Sequence, residues 1–216
     1  MLNLSPSEII QLIIIIVISL TVHEFAHSLV AIRLGDDTPR RQGRLTLNPL
    51  AHIDLIGFIM LVIAGFGWAK PVQINPANLK KPRRDEILIS VAGPASNLVF
   101  AMVAVLIVWA VPGTRVPVSP GFLAFRSFMD GLAAINVSLA IFNMIPIPPL
   151  DGSHLITPFL GTMNTALAAT YFRYGSIALL AIIVIQNFTR FEILPISRMT
   201  DAIVLWMFRL VGIAGG

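Results

Sequence analysis

Three ionisable residues stand at the end of an apolar run near the start of the chain. The run IIQLIIIIVISL leads into TVHEFAHSLV, which carries His23, Glu24 and His27. Successive residues of a helix turn by about 100°, so the two histidines lie on one face, where both imidazoles can reach one metal ion. Glu24 lies beside that face, where it can contact a metal-bound water without binding the metal. This is the H-E-x-x-H arrangement of zinc hydrolases.

The cost of placing these groups in lipid favours a metal site over a chance match to a short pattern. A charged group at the centre of a bilayer costs about 2.5–3.5 kcal/mol even on the lenient insertion scale. An apolar helix that accumulates three such groups needs a compensating interaction. Metal coordination supplies one for both histidines.

A third protein ligand is needed, since a catalytic zinc site has three and leaves one position for water. The chain has no cysteine, so the ligand comes from the histidines or the carboxylates. The candidates are His52, His154, Asp54 and Asp151. The stretch FNMIPIPPLDGSHL, residues 142–155, is the most informative, because its prolines end an apolar helix and suit irregular backbone that lines a cavity. Taken alone, it is better explained as an ordinary loop with an Asp-Gly turn.

The composition identifies the surroundings of these residues as lipid. Hydrophobic residues make up 56% of the 216 residues and charged residues 12%, against about 25% charged in soluble domains. Several apolar segments reach the roughly 20 residues that a spanning helix needs. We therefore expect an all-α polytopic membrane protein with about four to six transmembrane helices, formed as a single domain over residues 1–216. No nucleic-acid partner is expected.

Four apolar helices are predicted, at residues 7–34, 85–111, 122–144 and 169–188. The first is expected to be retained, because the basic region and the cleavage site of a signal peptide are missing. A last apolar stretch at residues 199–213 contains Arg209, and its periodicity leaves open whether it spans or lies at the interface.

The region from Gly35 to Arg84 is not predicted to form a simple transmembrane helix. Its extended-looking pieces GRLTLNP and KPVQINP flank the short apolar run LIGFIMLVIAGFGW, which predicts a re-entrant segment with a small β-hairpin. Nine of the fifteen basic residues lie between positions 33 and 84. The positive-inside rule places both ends of the region on the cytoplasmic side, and anionic lipid is an equally good partner for this charge. The ends of the first and third helices then share that side.

Five motifs in order, HEFAH, NPLAHIDLIG, GWAKPVQINP, AGPASN and NMIPIPPLDG, make the chain resemble the site-2 protease family of intramembrane zinc metalloproteases. The similarity covers most of residues 15–155, within a catalytic core at about residues 7–160. It indicates a compact member without an inserted soluble domain. The C-terminal quarter adds nothing specific.

The resemblance implies one Zn²⁺ per chain, held by His23, His27 and Asp151. It implies that Glu24 is the general base and that Asn143 holds the substrate carbonyl or its oxyanion. The implied reaction is hydrolysis of a peptide bond, with Glu24 passing the proton of the attacking water to the leaving amine.

The other motifs have less defined implications. Gly93, Pro94 and Asn97 of AGPASN are expected to shape the second predicted helix where it passes the site. His52 is placed near the active site, where a hydrogen-bonded structural role is at least as probable as a functional one. His154 is expected at the membrane interface and not among the ligands.

The implied substrate is a transmembrane protein already cleaved by another protease, in a bacterial or archaeal cell membrane, with the active site towards the cytoplasm. One alternative is a non-catalytic zinc-binding membrane protein, such as a transporter or scaffold. The presence of Glu24 argues against a scaffold. The middles of the second and fourth helices are nearly free of ionisable residues, which argues against a transporter. A di-iron oxygenase needs about eight histidines, and the chain has four.

Overall fold

The computed structural model describes residues 5–64, 67–111, 119–156, 165–189 and 192–212. Its helices are α1 (Pro6–Arg33), α2 (Thr38–Arg41), α3 (Leu55–Ala64), α4 (Pro82–Ala110), α5 (Pro120–Asn143), α6 (Thr165–Thr189) and α7 (Ile196–Leu210). Four of them, α1, α4, α5 and α6, are long and apolar enough to cross a bilayer. The predicted all-α polytopic membrane fold is confirmed, and the four predicted helices match these four to within a few residues.

Local sequence signals explain where α1 begins and ends. The Ser5 hydroxyl accepts from the backbone N–H of Glu8, and the Glu8 carboxylate accepts from the Ser5 N–H at 2.7 Å, which makes a capping box. Pro6 occupies the first turn, where no helical donor is lost. Beyond the other end, Gly35 has a φ of 111°, a conformation that L side chains rarely adopt. The helix therefore holds the H-E-x-x-H residues in one continuous rod.

The helices α1, α4 and α5 form the packed centre of the molecule. Small buried residues such as Ala101, Ala104 and Ala133 let the backbones approach closely, as they do in membrane bundles. The larger members of this hydrophobic core are Ile15, Val105, Leu132, Val137 and Met207. Side chains of α1 meet the start of α4 and the loop after α5. The ends of α1 and α5 therefore lie at one level of the bundle, as the distribution of basic residues predicts.

The segment between α1 and α4 departs from the predicted hairpin. No regular strand forms in its described residues, 35–64 and 67–81, where one isolated antiparallel bridge joins Ile53 to Ala69. Pro49 ends the first predicted strand, and Pro71 and Pro76 bound the second; none of the three has an N–H to donate to a ladder, which explains why pairing stops there. The Arg44 guanidinium donates to the carbonyls of Ala51 and Lys70 and so joins the parts of the chain before and after α3.

The re-entrant part of that segment is α3, which has ten residues. At 1.5 Å per residue it extends about 15 Å, roughly half of a bilayer core. Its side chains at Leu55, Ile56 and Ile59 are exposed in the structure. A helix of this length is too short to cross a bilayer core, in agreement with the predicted re-entrant character. Residues 65–66 of the predicted apolar run lie outside the described residues.

The last two helices occupy different positions. Few side chains of α6 are buried, and it touches the loop after α5, where the Tyr171 hydroxyl donates to the Pro146 carbonyl at 2.8 Å. The shorter α7 packs against α5 through Met207 and through a 2.9 Å hydrogen bond between Ser138 and Thr200. With 15 residues, α7 is about 22 Å long and too short to span. Residue 213 of the predicted stretch lies outside the described residues.

Candidate metal centre

Two imidazoles and one carboxylate converge near the ends of α1 and α5. The Nε2 atoms of His23 and His27 lie 3.0 Å apart. Asp151 Oδ2 lies 3.1 Å from His23 Nε2 and 3.3 Å from His27 Nε2. Ligand atoms at about 2.0–2.1 Å from a tetrahedral zinc lie about 3.3 Å from one another. The triangle of the three atoms therefore has the size of one face of a zinc coordination tetrahedron.

The far ring nitrogen of each histidine is held by an acceptor on α4. His27 Nδ1 lies 2.7 Å from the carbonyl oxygen of Ile89, and His23 Nδ1 lies 2.6 Å from Asn97 Oδ1. Both partners accept, so each Nδ1 carries the proton and each Nε2 presents a lone pair. Such outer partners orient the histidines of metal sites and select the ligating tautomer.

The three inward atoms are thus all electron-rich. Asp151 Oδ2 is buried and has no hydrogen-bond donor among the described residues. Two imidazole lone pairs and a carboxylate oxygen repel one another at about 3 Å unless a cation lies between them. Three such atoms, all within 4.8 Å of one another, are a donor set that suits zinc.

Gly93 of α4 forms the wall behind the two imidazoles. A Cβ at this position would come within 2.6 Å of His23 Nε2 and would also collide with His27 Nε2. No L side chain fits there without moving both rings. Pro94 follows, and it cannot donate to the carbonyl four residues earlier. The motif AGPASN therefore shapes α4 beside the site, as expected.

Asp151 is placed by the irregular chain after α5. The N–H of Gly152 donates to the Asn143 carbonyl at 2.6 Å, and the Ser90 hydroxyl of α4 donates to the Asp151 carbonyl at 2.6 Å.

Glu24 lies beside the triangle and faces a cavity of about 360 Å³. Its Oε2 accepts from the backbone N–H of Val72 at 3.2 Å. Glu24, His27 and Asp151 form one part of the wall. The other walls come from the proline-rich strap at residues 71–76, from Ile89 and Pro149, and from Glu86 and His154 at the sides.

The structure does not bring the other predicted residues to the triangle. The Asn143 side chain donates to the Leu139 carbonyl of its own helix at 3.0 Å, so its oxyanion role stays a prediction. His52 lines a separate cavity of about 40 Å³ between α1 and the α3 region. His154 is exposed beside the large cavity and is not one of the converging atoms.

Two buried polar residues near the site were not predicted from the sequence. Ser19 and Asn136 lie one layer deeper in the bundle and connect to His23 through Asn97. An amide in the middle of a spanning segment is costly in lipid and is by default a functional candidate. That signal was present in the sequence at Asn136.

A model of the peptidase family M50 matches residues 11–122 and 119–185. The chain belongs to peptidase family M50, the site-2 protease family. The predicted family resemblance is thus confirmed. Membership agrees with four span-length helices, so this M50 chain is an integral membrane protein.

Relatives of this M50 chain come from bacteria and an archaeon. YwhC of Bacillus subtilis (strain 168) is 38% identical over 174 residues, 80% of each chain. Rip2 of Mycolicibacterium smegmatis is 30% identical over 198 residues, 89% of this chain and 68% of Rip2. MJ0611 of Methanocaldococcus jannaschii is 28% identical over 140 residues, 64% of this chain and 65% of MJ0611. All three carry the provisional name of zinc metalloprotease. No solved structure gives a significant match.

Proposed function

We propose that this protein is an intramembrane zinc metalloprotease that hydrolyses peptide bonds of membrane-embedded substrates. The observation that carries the proposal is the convergence of His23, His27 and Asp151 inside a bundle of spanning helices, with Glu24 beside them. The names of the M50 relatives support the choice of zinc and of proteolysis. The catalytic core is proposed to comprise about residues 7–160, of which 65–66, 112–118 and 157–160 lie outside the described residues.

His23, His27 and Asp151 would hold one Zn²⁺ and leave one coordination position for water and substrate. Bound there, zinc supplies a Lewis acid that polarises a carbonyl and lowers the pKa of a water ligand to about 7. The ligand set has one negative charge, from Asp151. The site therefore keeps a net positive charge, which favours attack on a peptide carbonyl.

Glu24 acts as the general base and then as the general acid. Its Oε2 is held by the Val72 N–H, so the carboxylate cannot swing away from the cavity. The other oxygen takes the proton of the attacking water and passes it to the leaving amide nitrogen. A carboxylate next to the ligands, but not among them, has the position that this transfer requires.

Asn143 is proposed to stabilise the oxyanion. Its amide lies at the end of α5, immediately before the loop that carries Asp151, and now donates to Leu139. Turning the side chain away from its helix would present that N–H to a substrate. One such donor contributes about 3 kcal/mol to transition-state stabilisation.

The substrate is proposed to be an extended segment of a transmembrane protein, already trimmed by another protease. A helical substrate hides its carbonyls in hydrogen bonds, whereas an extended one exposes them. The extended strap at residues 71–76 lines the cavity and offers backbone groups to which such a segment can pair. The active site is proposed to face the cytoplasm of a bacterial or archaeal cell, since the basic residues flank this end of the bundle.

Cleavage by Glu24→Gln protein tests the proposal. The full chain is reconstituted in vesicles with a panel of labelled single-span peptides whose spans contain Gly or Pro. We expect cleavage by the wild type that stops with a chelator and returns with Zn²⁺. The Glu24→Gln protein should retain zinc but lose cleavage by at least about 10²–10⁴-fold, the usual contribution of a general base.

The same experiment separates hydrolysis from metal binding alone. A wild type that binds zinc and cleaves no member of the panel would favour the transporter or scaffold alternative. Cleavage that is unchanged in Glu24→Gln would remove Glu24 as the base. Loss of zinc in Glu24→Gln would instead show that the carboxylate is a ligand.

A further inference from the structure

A row of buried polar side chains continues from the metal centre into the bundle. His23 Nδ1 meets Asn97 Oδ1 at 2.6 Å, and Asn97 Nδ2 meets Asn136 Oδ1 at 2.7 Å. Asn136 Nδ2 then meets Ser19 Oγ at 2.8 Å. Asn97, Asn136 and Ser19 are all 0% exposed. The row joins α1, α4 and α5, and nothing in the catalytic steps above uses its inner half.

Backbone carbonyls at the inner end of the row determine which group donates and which accepts in each of its hydrogen bonds. The Ser19 hydroxyl donates to the Ile15 carbonyl at 2.7 Å, so Ser19 is an acceptor towards Asn136. The Asn136 amide nitrogen also faces the Leu132 carbonyl at 2.8 Å. A carbonyl can only accept, so both contacts require the NH₂ end of Asn136 to point inward. Its oxygen is thereby turned towards Asn97.

That orientation passes on to His23. Because Asn136 presents an oxygen, Asn97 must meet it with its NH₂ group, which also lies 3.5 Å from the Ser19 carbonyl. The Asn97 oxygen is then left for His23 Nδ1. An oxygen there places the histidine proton on Nδ1 and the lone pair on Nε2, at the candidate metal position.

The two histidines differ in how securely their tautomers are determined. His27 Nδ1 faces a backbone carbonyl, which has one possible polarity. His23 Nδ1 faces a side-chain amide, which can rotate by half a turn and present NH₂ in place of oxygen. A rotated Asn97 would move the His23 proton to Nε2 and block coordination. His23 therefore needs a further residue that prevents this rotation.

We propose that Asn136 is a positioning residue of the metal centre, which locks the Asn97 amide and so keeps His23 in its ligating tautomer. The proposal rests on the proposed function in taking His23 as a zinc ligand. Asn136 touches neither metal nor substrate, and it acts through Asn97. Its own orientation is secured by Ser19 and by the Leu132 carbonyl.

A purely structural role predicts different behaviour. Buried amides also join helices in membranes, where each hydrogen bond contributes modestly to association. In that case a substitution would lower stability without a specific effect on the metal. The readouts must therefore be zinc affinity and the His23 tautomer, measured on folded protein.

The test compares three α5 variants of the full chain in detergent micelles. Asn136→Leu removes both hydrogen-bonding groups of the lock and keeps the branch at Cγ. Asn136→Asp is a rescue, because a buried carboxyl group that stays neutral keeps one donor and one acceptor. Val137→Ala is the matched packing control, a fully buried core neighbour outside the row. The zinc dissociation constant is measured by competition with a chromogenic chelator, and tautomers by ¹⁵N NMR of the metal-free protein, which has four histidines to assign.

We expect Asn136→Leu to raise the zinc dissociation constant by about 10–100-fold, as changes of outer partners do, and to move His23 signal towards the Nε2–H form. Asn136→Asp and Val137→Ala should stay close to the wild-type affinity, although Val137→Ala lowers thermal stability. If Asn136→Leu does not fold, Asn136→Ser, whose side chain is too short to hold Asn97, provides the same test.

Two results would overturn the proposal: a folded Asn136→Leu protein with wild-type affinity and tautomer, or a loss of affinity in Val137→Ala as large as in Asn136→Leu. Failure of the proposed function gives different results, because the wild type would then bind no zinc or would bind zinc without cleaving any peptide. The tautomer measurement on metal-free protein still decides the role of Asn136 in that event.

Discussion

The buried histidines of this protein fall into two regions with different partner patterns. In the bundle, the Nδ1–H groups of His23 and His27 each donate to an acceptor, and the Nε2 atoms point towards a shared carboxylate. In the segment after α1, His52 Nε2–H donates to the Thr46 carbonyl at 2.9 Å, and the His52 carbonyl accepts from the Lys70 N–H at 2.8 Å. Burial is similar in both regions. What separates a candidate ligand from a structural histidine is where the second nitrogen points.

His52 also differs in that no carboxylate forms an ion pair with it among the described residues. It is 1% exposed, and its Nδ1 has no hydrogen-bond partner in the described part of the chain. The small cavity beside it is lined mainly by apolar residues of α1 and α3. His52 therefore joins the parts of the chain before and after α3, whereas the histidines of α1 surround an electron-rich centre.

The largest expected effect distinguishes the two regions directly. His27→Ala removes one of the three proposed ligand atoms, so we expect the zinc dissociation constant to rise by more than about 100-fold, beyond the range of outer-partner changes. His52→Ala should leave zinc bound. Metal content after gel filtration measures both. Equal zinc loss in the two variants would show that the partner pattern does not identify the ligands.

A second substitution tests the wall of the centre. Gly93→Ala places a methyl group against both imidazoles, and we expect at least about a 10-fold loss of zinc affinity. Alanine favours helix by about 1 kcal/mol over glycine, so the helix itself should not be weakened. Gly121→Ala on α5 is the matched control, because its Cβ would have no neighbour closer than 3.9 Å. Full affinity in Gly93→Ala would mean that the rings adjust without cost.

A third prediction concerns stability in the re-entrant segment. His52→Ala removes the hydrogen bond to the Thr46 carbonyl and leaves that partly buried carbonyl unpaired, which costs about 1–3 kcal/mol of unfolding free energy. Thermal unfolding in detergent measures the change. His154→Ala, at an exposed histidine, should unfold like the wild type. An unchanged midpoint in His52→Ala would argue against its structural role.

The smallest effect is a pH dependence of the strap that lines the cavity. Asp36 is buried and accepts from Thr38, from the Asn75 N–H at 2.7 Å and from Asn78 Nδ2 at 2.8 Å. Burial would raise its pKa, but these hydrogen bonds outweigh it and lower the pKa from the ordinary 3.8. The stabilisation is therefore present above about pH 4 and is lost as pH falls through the lowered pKa.

Limited proteolysis between residues 70 and 79 measures this effect. We expect proteolytic cleavage of the wild type to accelerate below about pH 4. At neutral pH, Asp36→Ala should be cleaved faster than the wild type, because the strap loses about 1–2 kcal/mol of stabilisation from the missing hydrogen bonds. Asp37→Ala is the control, since this neighbour forms an exposed pair with Arg40. A wild type whose strap resists cleavage equally at pH 7 and at pH 3 would contradict the role of Asp36.

The sequence predicted the site unevenly, for reasons of distance along the chain. His23, Glu24 and His27 follow from helix periodicity within one and a half turns. Asp151 followed from family resemblance, because its own loop is better explained by an ordinary turn. The β-hairpin was wrong in detail, since one isolated bridge forms in its described residues. Asn136 was missed because the sequence shows that an amide lies in an apolar span but not which side chains it meets in the bundle.

The sequence by itself determined that four helices are long and apolar enough to cross lipid and that one of them presents two imidazoles and a carboxylate on neighbouring faces, because both properties depend on local composition and on the helical repeat. The tertiary structure decided which carboxylate completes the centre, which nitrogen of each histidine is turned inward, and which amides hold it there. These depend on the packing of α1, α4 and α5, where atoms far apart in the chain come within hydrogen-bond distance. No local periodicity encodes such contacts.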